Sequence, residues 1–142
     1  MYNKKNIGSE IDRVLGLYGV KYIMNRCDDY SLYELELSSS IESYIMVEDI
    51  VSLNHGDDIY VSLYSVMKGS PINFVSDFGF NGRDDVSLEK EIKSMIDSVN
   101  KATDGIELFE EKMMELEKIY NEYGMDMDMG ELIDLVFLKK KK

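Results

Sequence analysis

Few side chains in this sequence have the type and spacing that catalysis requires. The chain contains one histidine, His55, and one cysteine, Cys27, so it cannot supply the Cys/His ligand set of a zinc site. His55 could act as a general base, but it lies beside Gly56 in a turn-forming run, which favours a turn residue. The lone Cys27 excludes an internal disulfide and indicates a reducing compartment.

Carboxylates are the other candidates for chemistry, because divalent cations such as Ca²⁺ prefer oxygen ligands. Each pair of adjacent aspartates falls at a boundary between predicted elements, where aspartate also forms turns and caps. Methionine alternates with aspartate in the run 125–129, and this mixture of soft and hard ligands suits no common metal. We therefore predict no catalytic residue, no metal site and no cofactor. The aspartate pairs are Asp28-Asp29, Asp57-Asp58 and Asp84-Asp85.

The negative charge is concentrated in one part of the chain. The net charge is −12, and residues 84–134 carry −11. Residues 1–83 carry −5, and the lysine run 139–142 adds +4. An acidic surface repels nucleic acids and anionic membranes and attracts basic partners. The lysine run is typical of a solvated end that complements a helix C-terminus.

A heptad pattern predicts one long helix in this acidic part of the chain. Apolar or aromatic residues occupy every position at alternating steps of four and three between Leu88 and Tyr123. A continuous helix of this length would span roughly 50–55 Å. Its weak point is Gly105, since glycine costs about 1 kcal/mol in a helix interior relative to alanine. A helical hairpin broken at Gly105 is the alternative.

Six acidic side chains lie away from the heptad seam, mainly at its b, c and f positions. They are candidates for binding a basic partner, and the competing interpretation is a solvated face that keeps the protein soluble. The six residues are Asp97, Asp104, Glu107, Glu111, Glu115 and Glu122.

The elements before this helix follow from a change of period. Ser9 can cap a short helix over 9–18, with Gly19 past its end. Between 20 and 80, apolar residues alternate with polar ones, which indicates strands. Short connections favour an antiparallel meander of four or five strands, although a helix is the competing prediction for 41–53. The last strand places Phe74, Phe78 and Phe80 on one face.

The fold class is therefore α+β. Asp128 and Glu131 have capping-box spacing, so a short and almost wholly apolar helix follows at about 129–138. We predict a single domain over 1–142, with a helix and sheet in 9–83, a helical part in 84–138 and a basic tail in 139–142.

The length of the predicted helix suggests self-association. A sheet of short strands covers roughly 20 Å along its strands, so part of the helix would overhang it. A second copy is the commonest partner for such a seam, and we predict a homodimer. The overhanging seam residues are Phe109, Met113, Leu116 and Tyr120.

Two functional hypotheses of different classes remain open. The first is a non-enzymatic acidic module, such as a phage-type inhibitor, that occupies a basic nucleic-acid-binding surface of a host enzyme and binds no nucleic acid itself. The second is a structural or chaperone-like protein that uses the seam of 88–123 to hold a partner helix. No apolar run of membrane-spanning length occurs, and a cytoplasmic location is expected.

Overall fold

The structure is a computed structural model that describes residues 1–50 and 58–123. For residues 70–73 and for Tyr123 it describes the backbone alone. Five strands form one antiparallel sheet in chain order, preceded by a short helix and followed by a long one, which confirms the predicted α+β class. The elements are α1 (Ile7–Leu17), β1 (Lys21–Arg26), β2 (Tyr30–Glu36), β3 (Ile41–Asp49), β4 (Ile59–Met67), β5 (Ser70–Asn81) and α2 (Leu88–Tyr123).

Several predictions fall outside these described residues. They are the turn that contains His55, the short helix at 129–138, the methionine–aspartate run 125–129 and the lysine tail 139–142.

α1 begins two residues before its predicted start, because asparagines rather than Ser9 organise the turn that precedes it. The side-chain oxygen of Asn3 accepts hydrogen bonds from the backbone N–H groups of Lys5 (2.9 Å) and Asn6 (3.1 Å). Ser9 lies inside the helix, where its hydroxyl donates to the carbonyl oxygen of Asn6 at 3.0 Å. The prediction that Ser9 is the cap is therefore wrong. Gly19 lies just past the helix end with φ of 66°, a left-handed conformation that glycine favours.

One face of the sheet forms the core of the fold. A cross-strand row joins Met24, Tyr33, Ile45, Leu63 and Phe78, and its central residues Ile45 and Leu63 are 0% and 1% exposed. The apolar faces of α1 and of the first turns of α2 are equally buried, which places this core between the two helices and the sheet. The buried helical residues are Ile7, Ile11, Val14, Leu15, Leu88, Ile92, Met95 and Val99.

β5 departs from the predicted alternation. Ser65 pairs with Ser76, but the next residue, Val66, pairs with Phe74, so Val75 is an extra residue in β5. A β-bulge of this kind interrupts the period-two pattern of its strand. Phe74 is accordingly 56% exposed and does not continue the buried face, whereas Phe80 is 3% exposed.

The N-terminal segment joins the last strand to the long helix. The backbone N–H of Tyr2 donates to the carbonyl oxygen of Gly82 at 2.7 Å, and the N–H of Gly82 donates to that of Ile59 at 2.9 Å. The Tyr2 hydroxyl accepts a hydrogen bond from the N–H of Leu88 at 3.0 Å. Its ring packs edge-to-face on Phe80, with centroids 6.1 Å apart. We call these contacts the Tyr2 clamp.

α2 is one uninterrupted helix through Gly105, so the continuous-helix prediction is confirmed and the hairpin alternative is excluded. It begins at Leu88, and the hydroxyl oxygen of Ser87 accepts a hydrogen bond from the N–H of Lys90 at 3.3 Å. The chain divides into two compact units, Met1–Thr103 and Asp104–Lys142, and the boundary falls inside α2.

Candidate functional site

The second unit presents a row of acidic side chains along α2. Successive residues of an ideal helix turn by about 100°, so the five acidic residues of this row lie within a sector of about 80° around the helix axis. All five are exposed, as predicted for residues away from the seam. We call this set the acidic face of α2: Asp104, Glu107, Glu111, Glu115 and Glu122. The sixth predicted residue, Asp97, is also exposed but belongs to the first unit.

One member of the acidic face has an additional partner within the chain. Lys112 is only 7% exposed, and its Nζ lies 3.2 Å from Oε2 of Glu115. A buried ammonium group needs a compensating charge. Part of the charge of Glu115 is therefore engaged by a contact within the helix. Glu107 and Glu111 are exposed and are the better probes of partner binding.

The four predicted seam residues of the second unit do not share one environment. Phe109, Met113 and Tyr120 are 58%, 43% and 39% exposed, whereas Leu116 is 9% exposed. On an ideal helix the three exposed residues lie within about 40° of each other, on the side opposite the acidic face. The second unit therefore presents two surfaces along α2, one acidic and one partly apolar.

One member of each of two aspartate pairs forms a turn hydrogen bond or a surface ion pair. Asp84 accepts a hydrogen bond from the N–H of Asn81 at 3.0 Å, and Asp58 forms an ion pair with Arg83 at 2.8 Å. Within the described ranges, no group of three or more His, Cys, Asp or Glu side chains is arranged to hold a metal ion. Cys27 is exposed in the connection between β1 and β2.

The outer face of the sheet carries a cluster that the sequence analysis did not single out. Tyr44 and Tyr64 face each other across β3 and β4, with stacked rings whose centroids are 5.2 Å apart. Tyr30 and Tyr60 lie further along the same face and are 37% and 36% exposed. Carboxylates are the cross-strand neighbours of these rings. We call the set the tyrosine face: Tyr30, Tyr44, Tyr60, Tyr64, Glu34, Glu48 and Asp77.

The alternation of tyrosine and serine in β4 correctly indicated a strand, but a single strand does not show which rings meet across the sheet. That information lies in the pairing register. The hydroxyl of Tyr44 donates to Oε2 of Glu42 at 3.1 Å. Burial, together with this hydrogen bond, raises the pKa of Tyr44 to about 12. The tyrosine is thus neutral at physiological pH and acts as a hydrogen-bond donor.

A cavity of about 610 Å³ opens at the end of the tyrosine face, around the connection between β2 and β3. Three carboxylates line it, those of Glu34, Glu36 and Glu42, together with the apolar residues Ile23 and Leu37. Glu34 thus belongs to both the tyrosine face and the cavity. Lys68 also lines the cavity.

In the part of the chain that the structure describes, neither helix combines the length and apolarity needed to cross a bilayer. Comparison with protein-family models, with curated proteins and with solved structures finds no match to the chain. The geometry and charge of the surfaces described above are accordingly the basis for assigning a function.

Proposed function

We propose that this protein is a non-enzymatic binding module whose acidic face of α2 docks on a basic surface of a protein partner. The proposed partner is a nucleic-acid-binding enzyme of a host cell. The protein would act as a phage-type inhibitor of that enzyme in the cytoplasm. The observation that supports the proposal is the set of five exposed acidic side chains on one sector of α2.

The charge balance of this helical segment favours attraction of a cationic surface. Residues 104–123 contain seven acidic residues and two lysines, and one of the lysines, Lys112, is buried. Steps of three and four residues advance about 4.5–6 Å along a helix, whereas phosphates advance about 3.4 Å per strand of duplex DNA. The row is sparser than a nucleic-acid backbone, yet its sign suits a groove lined by lysine and arginine. The same sign opposes direct binding to nucleic acid or anionic membrane.

The partly apolar side of α2 favours a second function. Exposed Phe109, Met113 and Tyr120 would suit self-association or the holding of a partner helix, because aromatic residues and methionine are enriched at interfaces. A structural or chaperone-like homodimer is therefore the alternative. Light scattering would distinguish a dimer from the 16.4 kDa monomer.

The two functions differ in which side of α2 carries the binding energy. The partner is first captured from a lysate of the organism that hosts the protein, and its affinity is then measured with purified components. We expect Glu107→Gln with Glu111→Gln to weaken binding at least tenfold, about 1.4 kcal/mol. We also expect excess duplex DNA to displace the protein, and higher salt to weaken binding because screening acts over about 8 Å at 0.15 M.

The matched control is the pair Glu110→Gln and Glu117→Gln. These residues are exposed on the same segment but lie outside the acidic face, and glutamine preserves helix propensity. The control should leave affinity within about twofold, since only the position of the lost charge differs. Equal losses in both pairs, or no loss in either at low salt, would refute the acidic-face proposal. If Phe109→Ala abolishes binding while both glutamine pairs are silent, the chaperone-like function takes its place.

A further inference from the structure

The tyrosine face has the chemistry of a cation-binding surface. Its cross-strand rows alternate rings with carboxylates: Glu34 neighbours Tyr44, and Asp77 neighbours Tyr64. The defined set contains three carboxylates and no basic side chain. This surface lies wholly within the first unit and shares no residue with the acidic face of α2.

Aromatic rings and carboxylates on adjacent strands favour arginine in particular. The face of a tyrosine ring attracts a cation that lies within about 6 Å of its centroid. Neighbouring strands are about 4.8 Å apart, so a guanidinium group stacked on Tyr44 would reach the carboxylate of Glu34. Arginine can satisfy both groups, because its planar head stacks on rings and donates two parallel hydrogen bonds to a carboxylate. A lysine ammonium group lacks that planar, forked geometry.

The adjoining cavity would accept a second long cationic side chain. Its apolar lining, which includes Ile23 and Leu37, suits an aliphatic stem, and its carboxylates suit a charged head. Glu42 connects the two subsites, since it lines the cavity and accepts the hydrogen bond from Tyr44. Glu42 and Tyr44 are two residues apart in β3, a separation of roughly 6.8 Å along a strand.

We infer that the tyrosine face and its adjoining cavity bind an extended segment of a partner protein that carries the sequence Arg-x-Arg. Residues two apart in an extended peptide project to the same side with the same spacing as Glu42 and Tyr44. One arginine stacks on the face of Tyr44 that is turned away from Tyr64, beside Glu34, and the other enters the cavity. This inference does not depend on the acidic face of α2, because it uses different residues.

The test uses short fluorescein-labelled peptides and the full-length protein. Fluorescence anisotropy compares a peptide with a central Arg-x-Arg against one of equal charge with Lys-x-Lys. We expect the arginine peptide to bind at least fivefold more tightly, because stacking and bidentate bonding add to simple charge attraction. Equal affinities would show attraction to net negative charge alone and would overturn the inference.

Variants then locate the binding surface. Tyr44→Leu and Glu34→Gln should each weaken the arginine peptide at least fivefold, whereas Tyr44→Phe should retain most of the affinity because the ring remains. The control Glu107→Gln with Glu111→Gln removes charge from α2 and should change peptide affinity less than twofold. Circular dichroism shows whether each variant is folded. If Tyr44→Leu does not fold, Glu34→Gln at its exposed site still tests the binding surface.

Three further results would overturn the inference. The first is unchanged affinity in both Tyr44→Leu and Glu34→Gln. The second is a homodimer that Tyr44→Leu dissociates, which would make this face an interface between two copies of the chain. The third is tighter binding of a single-stranded oligonucleotide than of the arginine peptide, since stacked aromatic side chains can also bind bases.

Discussion

Replacing Gly82 by alanine should destabilise the first unit strongly, because the Tyr2 clamp leaves no room for a side chain. A Cβ atom at residue 82 would lie 2.2 Å from the carbonyl oxygen of Tyr2 and 2.8 Å from Cγ1 of Ile59. The first of these is a backbone atom, so a side-chain rotation cannot relieve the overlap. Either Tyr2 is displaced or the backbone of residue 82 moves away from Ile59.

The expected loss follows from the contacts that this displacement breaks. The clamp includes the hydrogen bond between Tyr2 and Gly82, the one from Leu88 to the Tyr2 hydroxyl, and the edge-to-face pair with Phe80. A hydrogen bond contributes about 1 kcal/mol and an aromatic pair about 0.5–1.5 kcal/mol. We therefore expect Gly82→Ala to lower the free energy of unfolding by about 2–4 kcal/mol.

Urea unfolding followed by circular dichroism measures this change, and Gly105→Ala is the matched control. A Cβ at residue 105 would meet no atom within 4 Å. Since Gly105 lies inside α2, alanine should raise helix stability by up to about 1 kcal/mol. If Gly82→Ala unfolds within about 0.5 kcal/mol of the parent protein, the rigidity assigned to the clamp is wrong.

Three further predictions concern the core and the tyrosines. Ser43 and Ser65 are 1% and 0% exposed, and their hydroxyl oxygens lie 2.9 Å apart. Replacing either serine by alanine should therefore lower the free energy of unfolding by about 1–3 kcal/mol. In a double-mutant cycle measured by urea unfolding, the double replacement should cost less than the sum of the two single ones. Ile92→Ala should cost about 2–5 kcal/mol because Ile92 is 0% exposed, whereas Leu108→Ala, at a residue 51% exposed, should change urea stability by less than about 1 kcal/mol. The pKa of Tyr44 is about 12 in the folded protein and about 10 in the unfolded chain. Its contribution to stability should therefore be constant below pH 10 and fall as the pH rises towards 12. In an alkaline titration followed by phenolate absorbance, Tyr44→Phe should have one fewer tyrosine that ionises at high pH.

The periodicity of the sequence predicted the elements well because burial imposes it. Alternation in β3 and β4 placed Ile45 and Leu63 in the core, and the heptad placed α2 across Gly105 without a break. Details that depend on tertiary contacts were not predictable in this way. Whether α1 starts at Ser9 or at the asparagines before it depends on the position of the N-terminal segment. That segment is held by a hydrogen bond to Gly82, which is distant in the sequence.

The functional surfaces were predicted less completely for a related reason. A heptad pattern identifies an apolar stripe that is expected to be buried. It does not show which residues of the stripe are buried within one chain and which would be buried by a partner. Leu116 and Lys112 are both buried, although the pattern assigned only Leu116 to the seam. The tyrosine face could not be predicted because tyrosine occurs at both buried and solvent-exposed positions. Which tyrosines lie side by side depends on the pairing register across the five strands.

The Tyr2 clamp also has a consequence for how the protein is made. Each strand pairs with the strand synthesised just before it, so the hairpins can form in turn as the chain leaves the ribosome. Tyr2, in contrast, must wait for Gly82, and at about 5–20 residues per second that delay is about 4–16 s. During this interval the apolar face around Ile45 lacks the cover that α2 later provides. The nascent protein therefore passes through a stage with an exposed sheet face, and the Tyr2 clamp can form only after all five strands have been synthesised.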